Sequence, residues 1–236
     1  MKLIASKSIK EKYPDLRIAI VVAKHVENTK YLNGIESFVN ESFMRFAEKF
    51  NSPQEFEENK NIISWRNIYR SFGVNPKKRK PTAEALLLRT VKNRYVPRIN
   101  PAVDAYLSAQ TLHCLPVGGY DLERISGDII LRNSSGNEEF LGVGSDNSEL
   151  TIDDEIVYAD ASRILTRCWN YRDCDYSKIS TETRTLALFS EAPISDISDN
   201  EVKETVVQIA ENLERFCEAQ CSVLFLDSNE SEIVIL

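Results

Sequence analysis

The spacing of apolar residues changes in kind part of the way along the chain. In the first half they recur at intervals of three and four, as from Ile35 to Phe46, which is the period of a helix with one buried face. From Ile125 onward they occur in short runs of strand type, separated by turn-forming Ser, Gly and Asn. These runs are residues 128–132, 139–143, 155–159 and 185–189. We therefore predict an α+β fold in which a helix-rich first half packs on a mixed or antiparallel sheet contributed by both halves.

Both ends of the chain carry further elements of this pattern. Residues 16–23 are almost continuously apolar and predict a buried strand near the start. Ser198 and Glu201 have the spacing of a capping box and predict the start of a late helix. Two apolar runs follow that helix, and we expect the last of them, residues 232–236, to be paired inside a sheet.

Positive charge is concentrated in one segment. The chain has a net charge of -7, yet ten basic residues lie between Arg66 and Arg98, where Glu84 is the only acidic residue. Four of the ten are consecutive at positions 77–80, between two prolines that disfavour a continuous helix. A segment of this kind can attract a polyanion locally. The alternative is a solvated face that keeps the protein soluble.

Composition excludes several classes of protein. No apolar run approaches the ~20 residues needed to cross a bilayer, and the first residues lack the apolar core of a secretion signal. Five scattered cysteines argue against a disulfide framework, so we expect a cytoplasmic protein. Neither paired zinc ligands, nor a phosphate-binding glycine loop, nor a serine-hydrolase elbow is present. We therefore expect no metal and no cofactor.

Two polar clusters hold more specialised residues than a core requires. The first comprises residues 100–104 and 116–121, and the second comprises residues 167–173, with Trp, Asn, Arg and Asp in sequence. Such residues can bind the polar ends of an amino acid while an aromatic ring forms a wall. The alternative is structural: Asp104 and Asp121 would tie loops together, and residues 172–173 would form a local ion pair.

The order of these motifs resembles one family. Asn-x-x-Val-Asp, a helix, and then Pro-x-x-x-(Phe/Tyr)-Asp-Leu is similar to the editing domain of the phenylalanyl-tRNA synthetase beta subunit, the B3/B4 module. The resemblance covers roughly residues 60–190 and implies one B3/B4-like tRNA-binding domain over residues 1–236. Residues 1–60 and 191–236 would complete the sheet and its helical cover. The matching positions are Asn100, Val103, Asp104, Pro116, Tyr120, Asp121 and Leu122, followed by residues 129–132, 135–138 and 156–160.

The chain departs from that family in its pocket. The pocket histidine of the family falls on Gly118, and its glutamate reaches Glu191 only with a shift of register. The glycine-rich stretch of the family is replaced around residues 168–172. Specificity for tyrosine is therefore not carried over. ATP-site motifs are absent as well, so no aminoacylation activity is expected.

The resemblance implies a free-standing module that binds tRNA and hydrolyses the ester of a mischarged aminoacyl-tRNA in trans. Its partner would be the aminoacylated acceptor end, with no role for DNA or a membrane. Asp173 and Asp121 are predicted to position water or the α-ammonium group. The predicted pocket residues are Gly118, Gly119, Trp169, Asn170, Arg172 and Asp104, and the predicted tRNA contacts are Lys77, Lys78, Arg79, Lys80, Arg89 and Arg94.

Two other functions fit the same residues. The basic segment can anchor RNA in a protein that performs no chemistry, and binding would then fall steeply with salt. The pocket can instead serve a sensor or carrier of free amino acids, which would be stabilised by its ligand without any affinity for tRNA. The amino acid, the tRNA and the oligomeric state do not follow from the sequence.

Overall fold

The computed structural model describes residues 1–32 and 34–236 of the 236-residue chain. Its helices begin at the caps that the sequence predicts: the side chain of Asn100 accepts a hydrogen bond from the amide of Val103 at 3.0 Å, and Ser198 and Glu201 form a capping box. The α-helices of the described residues are α1 (Lys7–Lys12), α2 (Ile35–Ala47), α3 (Pro53–Glu57), α4 (Lys60–Ser71), α5 (Thr82–Asn93), α6 (Pro101–His113) and α7 (Asp199–Cys217).

Strands come from both ends of the chain and from its middle. Most are short, and the apolar runs of the second half form β4, β7, β10 and β11 as predicted. The strands are β1 (Lys2–Ala5), β2 (Arg17–Lys24), β3 (Gly118–Asp121), β4 (Ile129–Ser135), β5 (Glu139–Phe140), β6 (Glu149–Leu150), β7 (Asp153–Ala159), β8 (Ile164–Arg167), β9 (Arg172–Asp173), β10 (Leu186–Ala192), β11 (Gln220–Leu226) and β12 (Glu232–Val234).

These strands form two main sheets. The larger has the order β12-β1-β4-β7-β8-β9, in which β1 and β4 are parallel and the other neighbours antiparallel. The smaller is fully antiparallel in the order β11-β2-β10-β3. Elements from both halves of the chain therefore share each sheet, and the predicted α+β class is confirmed. Helix α7 packs against β2 and against α6.

Aromatic rings join the two sheets. Tyr158 of the larger sheet stacks on Phe189 of the smaller sheet with 5.9 Å between ring centroids, and Tyr120 lies 6.2 Å from Tyr158. All three side chains are almost completely buried. A large aromatic layer of this kind fixes the distance between the sheets, and the cavity described below opens beside it.

Two sequence predictions need correction. The run 139–143 forms a strand only over residues 139–140, because Gly142 bridges instead to Cys174 beside β9. The C-terminal run is paired, but β12 is an edge strand, and Val234 is 62% exposed. Among residues 1–32 and 34–236, every helix is too short or too polar to cross a bilayer.

Candidate functional site

The main candidate site is a cavity of about 320 Å³. The aromatic layer between the sheets forms part of its wall, and Thr82 at the start of α5 lines it as well. Two acidic side chains face an otherwise largely apolar surface. The residues that line the cavity are Thr82, Ile99, Val103, Tyr106, Gly118, Gly119, Tyr120, Val143, Tyr158, Thr166, Trp169, Asn170, Tyr171, Arg172, Asp173, Lys178, Ile179, Phe189 and Glu191.

Asp173 is the first of the two acids. It stands on β9, and its Oδ1 accepts a hydrogen bond of 2.6 Å from the hydroxyl of Thr166 on the neighbouring strand. That hydroxyl also lies 2.6 Å from the hydroxyl of Tyr120. Burial raises the pKa of Asp173 to about 6, although the hydrogen bond from Thr166 lowers it. The group can therefore change its charge close to neutral pH.

Glu191 is the second acid, and it lies deeper. It belongs to β10 and is 3% exposed, and its Oε1 accepts a hydrogen bond of 2.8 Å from the hydroxyl of Tyr158. Burial raises the pKa of Glu191 to about 7. The motif resemblance matches the glutamate of the family to Glu191 only with a shift of register. The sequence does contain a signal for this site: Glu191 is an acid within the largely apolar run 186–192, and an isolated carboxyl group in a buried strand is costly unless it has a partner.

Two adjacent glycines form the wall opposite Asp173. A Cβ atom at Gly118 would lie 3.9 Å from both carboxyl oxygens of Asp173, which is ordinary van der Waals contact. A Cβ at Gly119 would lie only 2.0 Å from the carbonyl oxygen of Ala187 on the paired strand. Gly118 therefore keeps the carboxyl group of Asp173 open to the cavity, whereas Gly119 permits close pairing of β3 with β10.

A tight turn carries the other pocket residues of the second polar cluster. Cys168 and Trp169 have φ angles of 46° and 69°, a left-handed conformation that costs about 1–2 kcal/mol per residue other than glycine. Trp169 is completely buried and packs edge-on against Trp65. The hydroxyl of Tyr69 donates to the side-chain oxygen of Asn170 at 2.7 Å. Packing and hydrogen bonding thus hold the turn against its backbone strain.

The thiol of Cys168 is not suited to nucleophilic chemistry. It is buried, and burial raises its pKa to about 12, with the nearby carboxylate of Glu155 adding to the effect. The five cysteines are all free. Within the described residues, no group of three or more His, Cys, Asp or Glu side chains is placed to hold a metal ion.

Residues 77–80, the basic loop, are followed two residues later by Thr82, which contacts the cavity wall. The amide of Thr82, two residues beyond the loop, donates to the carbonyl oxygen of Asn170 at 3.2 Å. Thr82 also lines the cavity itself. Lys77 and Lys78 are exposed to solvent. The basic loop is therefore joined at its C-terminal end to the wall of the acid-containing cavity.

The other basic residues of the predicted interface are placed differently. Arg79 lies 4.0 Å from Glu155, and Lys80 lies 3.2 Å from Glu84, so both of these charges face acidic partners. Arg89 and Arg94 are exposed but lie further along α5. At a rise of about 1.5 Å per residue they stand about 10 and 18 Å from Thr82. Lys77 and Lys78 are thus the members of the basic loop whose ammonium groups are open to an anion.

Two predicted site residues lie outside the cavity. Asp104 is buried, accepts hydrogen bonds from the amide of Ile99 and the hydroxyl of Tyr31, and fastens the start of α6. Asp121 accepts from the hydroxyl of Thr183 at 2.7 Å and from the amide of Glu123. Each carboxylate ties loops together, which is the structural alternative noted from the sequence. Neither Asp104 nor Asp121 lines the cavity.

The fold and the site define an α+β protein with an acid-containing cavity next to a cationic loop. The family model of the B3/4 domain matches residues 64–215. The chain therefore belongs to the B3/4 domain family.

One solved structure is similar over most of this chain. It is an N-terminal fragment of the phenylalanyl-tRNA synthetase beta-subunit from Pyrococcus horikoshii, with a TM-score of 0.46 and 10% sequence identity. The similarity covers 93% of this chain and 49% of that one, so the chain spans about half the length of the fragment. A search of curated proteins found no significant match.

Proposed function

We propose that this protein is a free-standing editing module that binds tRNA and hydrolyses the ester of a mischarged aminoacyl-tRNA in trans. The observation that carries the proposal is the hydrogen bond between Thr82 and Asn170, which joins the basic loop to the wall of a cavity containing Asp173. An amino acid can enter that cavity while the nucleic acid to which it is attached stays outside on Lys77 and Lys78. The substrate class comes from the motif resemblance described above.

The chemistry requires little from the protein, because an aminoacyl ester is already activated. Orientation of water and of the substrate can supply much of the rate. At neutral pH and above, a carboxyl group with a pKa of about 6 is mostly ionised. Asp173 in that state can hold the α-ammonium group or accept a proton from the attacking water. Water then adds to the ester carbonyl, the bond from that carbon to the ribose oxygen breaks, and the ribose oxygen leaves as a hydroxyl with the proton that the water has lost.

The aromatic part of the wall would receive the amino-acid side chain. Tyr120, Tyr158 and Phe189 supply aromatic surface, and Glu191 supplies one polar group at depth. A hydrophobic pocket distinguishes side chains that differ by one methylene by only about 1–3 kcal/mol. A second site of this type increases accuracy where the first selection is limited by that difference.

The phosphates of the acceptor stem would contact the exposed part of the basic segment. Lys77 and Lys78 are the exposed charges of the basic loop, and Arg89 and Arg94 lie about 10–18 Å from Thr82 along α5. Contacts to phosphate position the nucleic acid without reading its sequence. This arrangement predicts binding that weakens as salt rises.

The experiment is a deacylation screen of the purified protein against a complete panel of mischarged tRNAs. We expect faster release of amino acid than in buffer for at least one pairing, and a large loss in Asp173→Ala. Asp196→Ala is the matched control, because Asp196 is exposed and does not line the cavity. If every mischarged tRNA in the panel stays intact, the enzymatic claim is wrong.

Two further measurements, tRNA binding and thermal stability, separate the alternative functions. Salt-sensitive tRNA binding without deacylation favours an RNA-binding module. Thermal stabilisation by a free amino acid, with no affinity for tRNA, favours a sensor or carrier. Neutralising positions 77–80 together should reduce tRNA binding and leave binding of a small ligand in the cavity unchanged.

A further inference from the structure

One wall of the cavity is a short segment that belongs to neither main sheet. Residues 141–145, here called the strap, run beside β9, and the side chain of Val143 lines the cavity while remaining 43% exposed. The amide of Val143 donates to the carbonyl oxygen of Asp173 at 2.9 Å, and the amide of Asp175 donates to that of Leu141 at 2.9 Å. The strap therefore lies directly against the strand that carries the cavity acid.

The side chain of Arg172, on the same strand β9, also binds the strap. Its guanidinium group donates to the carbonyl oxygen of Val143 at 3.1 Å and to the hydroxyl of Ser145 at 2.8 Å. The same group lies 3.5 Å from the carboxylate of Glu149. Among the described residues, its side-chain hydrogen bonds thus go to the strap and to Glu149, which follows the strap in β6. The planar fork of arginine suits such a multiple contact better than lysine does.

Gly142 shows how closely the two parts fit. A Cβ atom at this position would lie 2.5 Å from Nε of Arg172 and 2.9 Å from its Cδ and Cζ. The arginine side chain therefore lies directly against the strap at Gly142, in the space that a side chain there would occupy. Any larger residue at position 142 would displace the guanidinium group from its partners.

We propose that Arg172 is a positioning residue that holds the strap as a wall of the cavity and thereby limits the size of the group that can enter. The inference rests on the proposed function for the identity of that group, an acyl moiety. Its test does not, since access to the cavity can be measured without any substrate. Loss of these hydrogen bonds would let the strap open locally while the two sheets remain folded.

The experiment uses a thiol introduced at Gly118→Cys, which faces Asp173 across the cavity. Its labelling rate is measured by mass spectrometry with a small reagent, methyl methanethiosulfonate, and a bulky one, fluorescein maleimide. Adding Arg172→Ala should raise the rate of the bulky reagent about tenfold and that of the small reagent much less. The labelling rate of Arg172→Lys with the bulky reagent should lie between the rates of the proteins with Arg172 and with Arg172→Ala. The protein without Gly118→Cys gives the background from the native thiols.

A matched control and a second variant make the result decisive. Arg163→Ala removes an exposed arginine that stacks on Tyr176 and does not contact the strap, and it should change neither rate. Gly142→Ala should have the same effect as Arg172→Ala, because its methyl group would displace the guanidinium group from its partners. This variant tests the proposal if Arg172→Ala does not fold. Hydrogen exchange at the amide of Val143 should quicken in both variants. An unchanged ratio of bulky to small labelling in both variants would overturn the proposal, whether or not the protein hydrolyses aminoacyl-tRNA.

Discussion

The main-chain amide of Thr82 is hydrogen-bonded to the carbonyl oxygen of Asn170 across 88 residues of sequence, at 3.2 Å. Thr82 begins α5 directly after the basic loop and Pro81, and Asn170 lies in the strained turn of the cavity. This bond fixes the distance between the cationic loop and the cavity. The proposed function depends on this arrangement, because its substrate would combine a polyanionic nucleic acid with a small reactive group.

The first prediction concerns the two open lysines. Replacing Lys77 and Lys78 with Gln should weaken tRNA binding and reduce the slope of log affinity against log salt by about 2, because each phosphate contact contributes close to 1. Nitrocellulose-filter binding at several salt concentrations measures both effects. Replacing Lys7 and Lys24 with Gln is the control: both are exposed and lie outside the basic segment, so the slope should stay unchanged. Equal slopes in the two double variants would contradict the assignment.

The second prediction concerns the rate of deacylation. Asp173→Asn keeps the shape of the side chain and the acceptor for Thr166, but it removes the charge. The rate of deacylation should fall roughly 100-fold. In the unaltered protein the enzymatic rate, corrected for uncatalysed hydrolysis, should rise with pH through about 6, and this rise should be lost in the variant. A full pH–rate profile of both proteins checks it.

The same substitution should affect stability in the opposite direction. Burial raises the pKa of Asp173 from 3.8 to about 6, so the folded state binds the proton more tightly than the unfolded state. Its contribution to stability is complete below about pH 4 and is lost as pH rises through about 6. Asp173→Asn should therefore raise the free energy of unfolding at pH 7.5 relative to the native protein, and raise it less at pH 4. Urea denaturation at both pH values decides the point; a loss of stability at pH 7.5 would count against it.

The third prediction contrasts two neighbouring glycines. Gly118→Ala adds a methyl group in ordinary contact with the carboxyl oxygens of Asp173, so it should fold normally and reduce deacylation. Gly119→Ala forces a methyl group to within 2.0 Å of the carbonyl oxygen of Ala187, so it should lower the free energy of unfolding by about 2–4 kcal/mol. Thermal denaturation of both variants measures the difference. Similar stability losses in the two would show that the assignment of the two walls is wrong.

The fourth prediction concerns the deeper acid. The hydroxyl of Tyr158 lowers the pKa of Glu191, although burial raises the pKa overall to about 7. Tyr158→Phe should therefore raise that pKa further and cost about 1–3 kcal/mol of stability at pH 8, where an ionised carboxylate is left without its donor, and less at pH 5. Carboxyl-selective NMR titration and denaturation at both pH values provide the measurement. Tyr106→Phe is the control, since Tyr106 lines the same cavity and makes no side-chain hydrogen bond within the described residues; a similar pH dependence there would remove the role assigned to Tyr158.

Local sequence patterns predicted the elements of the fold well. The Asn100 cap, the capping box of Ser198 and Glu201, and the strands β4, β7, β10 and β11 appear where their residues place them. These features depend on side chains within one turn or one strand, so neighbouring residues contain the information. The order of the motifs also predicted the family, which the match to the B3/4 domain bears out.

Longer-range relationships corrected the predicted site. Asp104 was predicted to line the pocket and Asp121 to position water or the α-ammonium group, yet each carboxylate is bound by nearby amides and hydroxyls and neither lines the cavity. Arg79 and Lys80 were predicted to contact phosphate, yet both face buried glutamates. The sequence shows the charges but not which opposite charge the fold brings within 4 Å.

The sequence by itself determined which segments become helix or strand, where positive charge accumulates, and which family the chain resembles. The tertiary structure alone decided that Glu191 faces the cavity, that Lys77 and Lys78 are the open charges of the basic loop, and that Arg172 holds the strap. The reason is that helix periodicity and capping arise from contacts within a few residues. Burial, ion pairing and pKa depend instead on which distant groups surround a side chain, and only the packed fold assembles those surroundings.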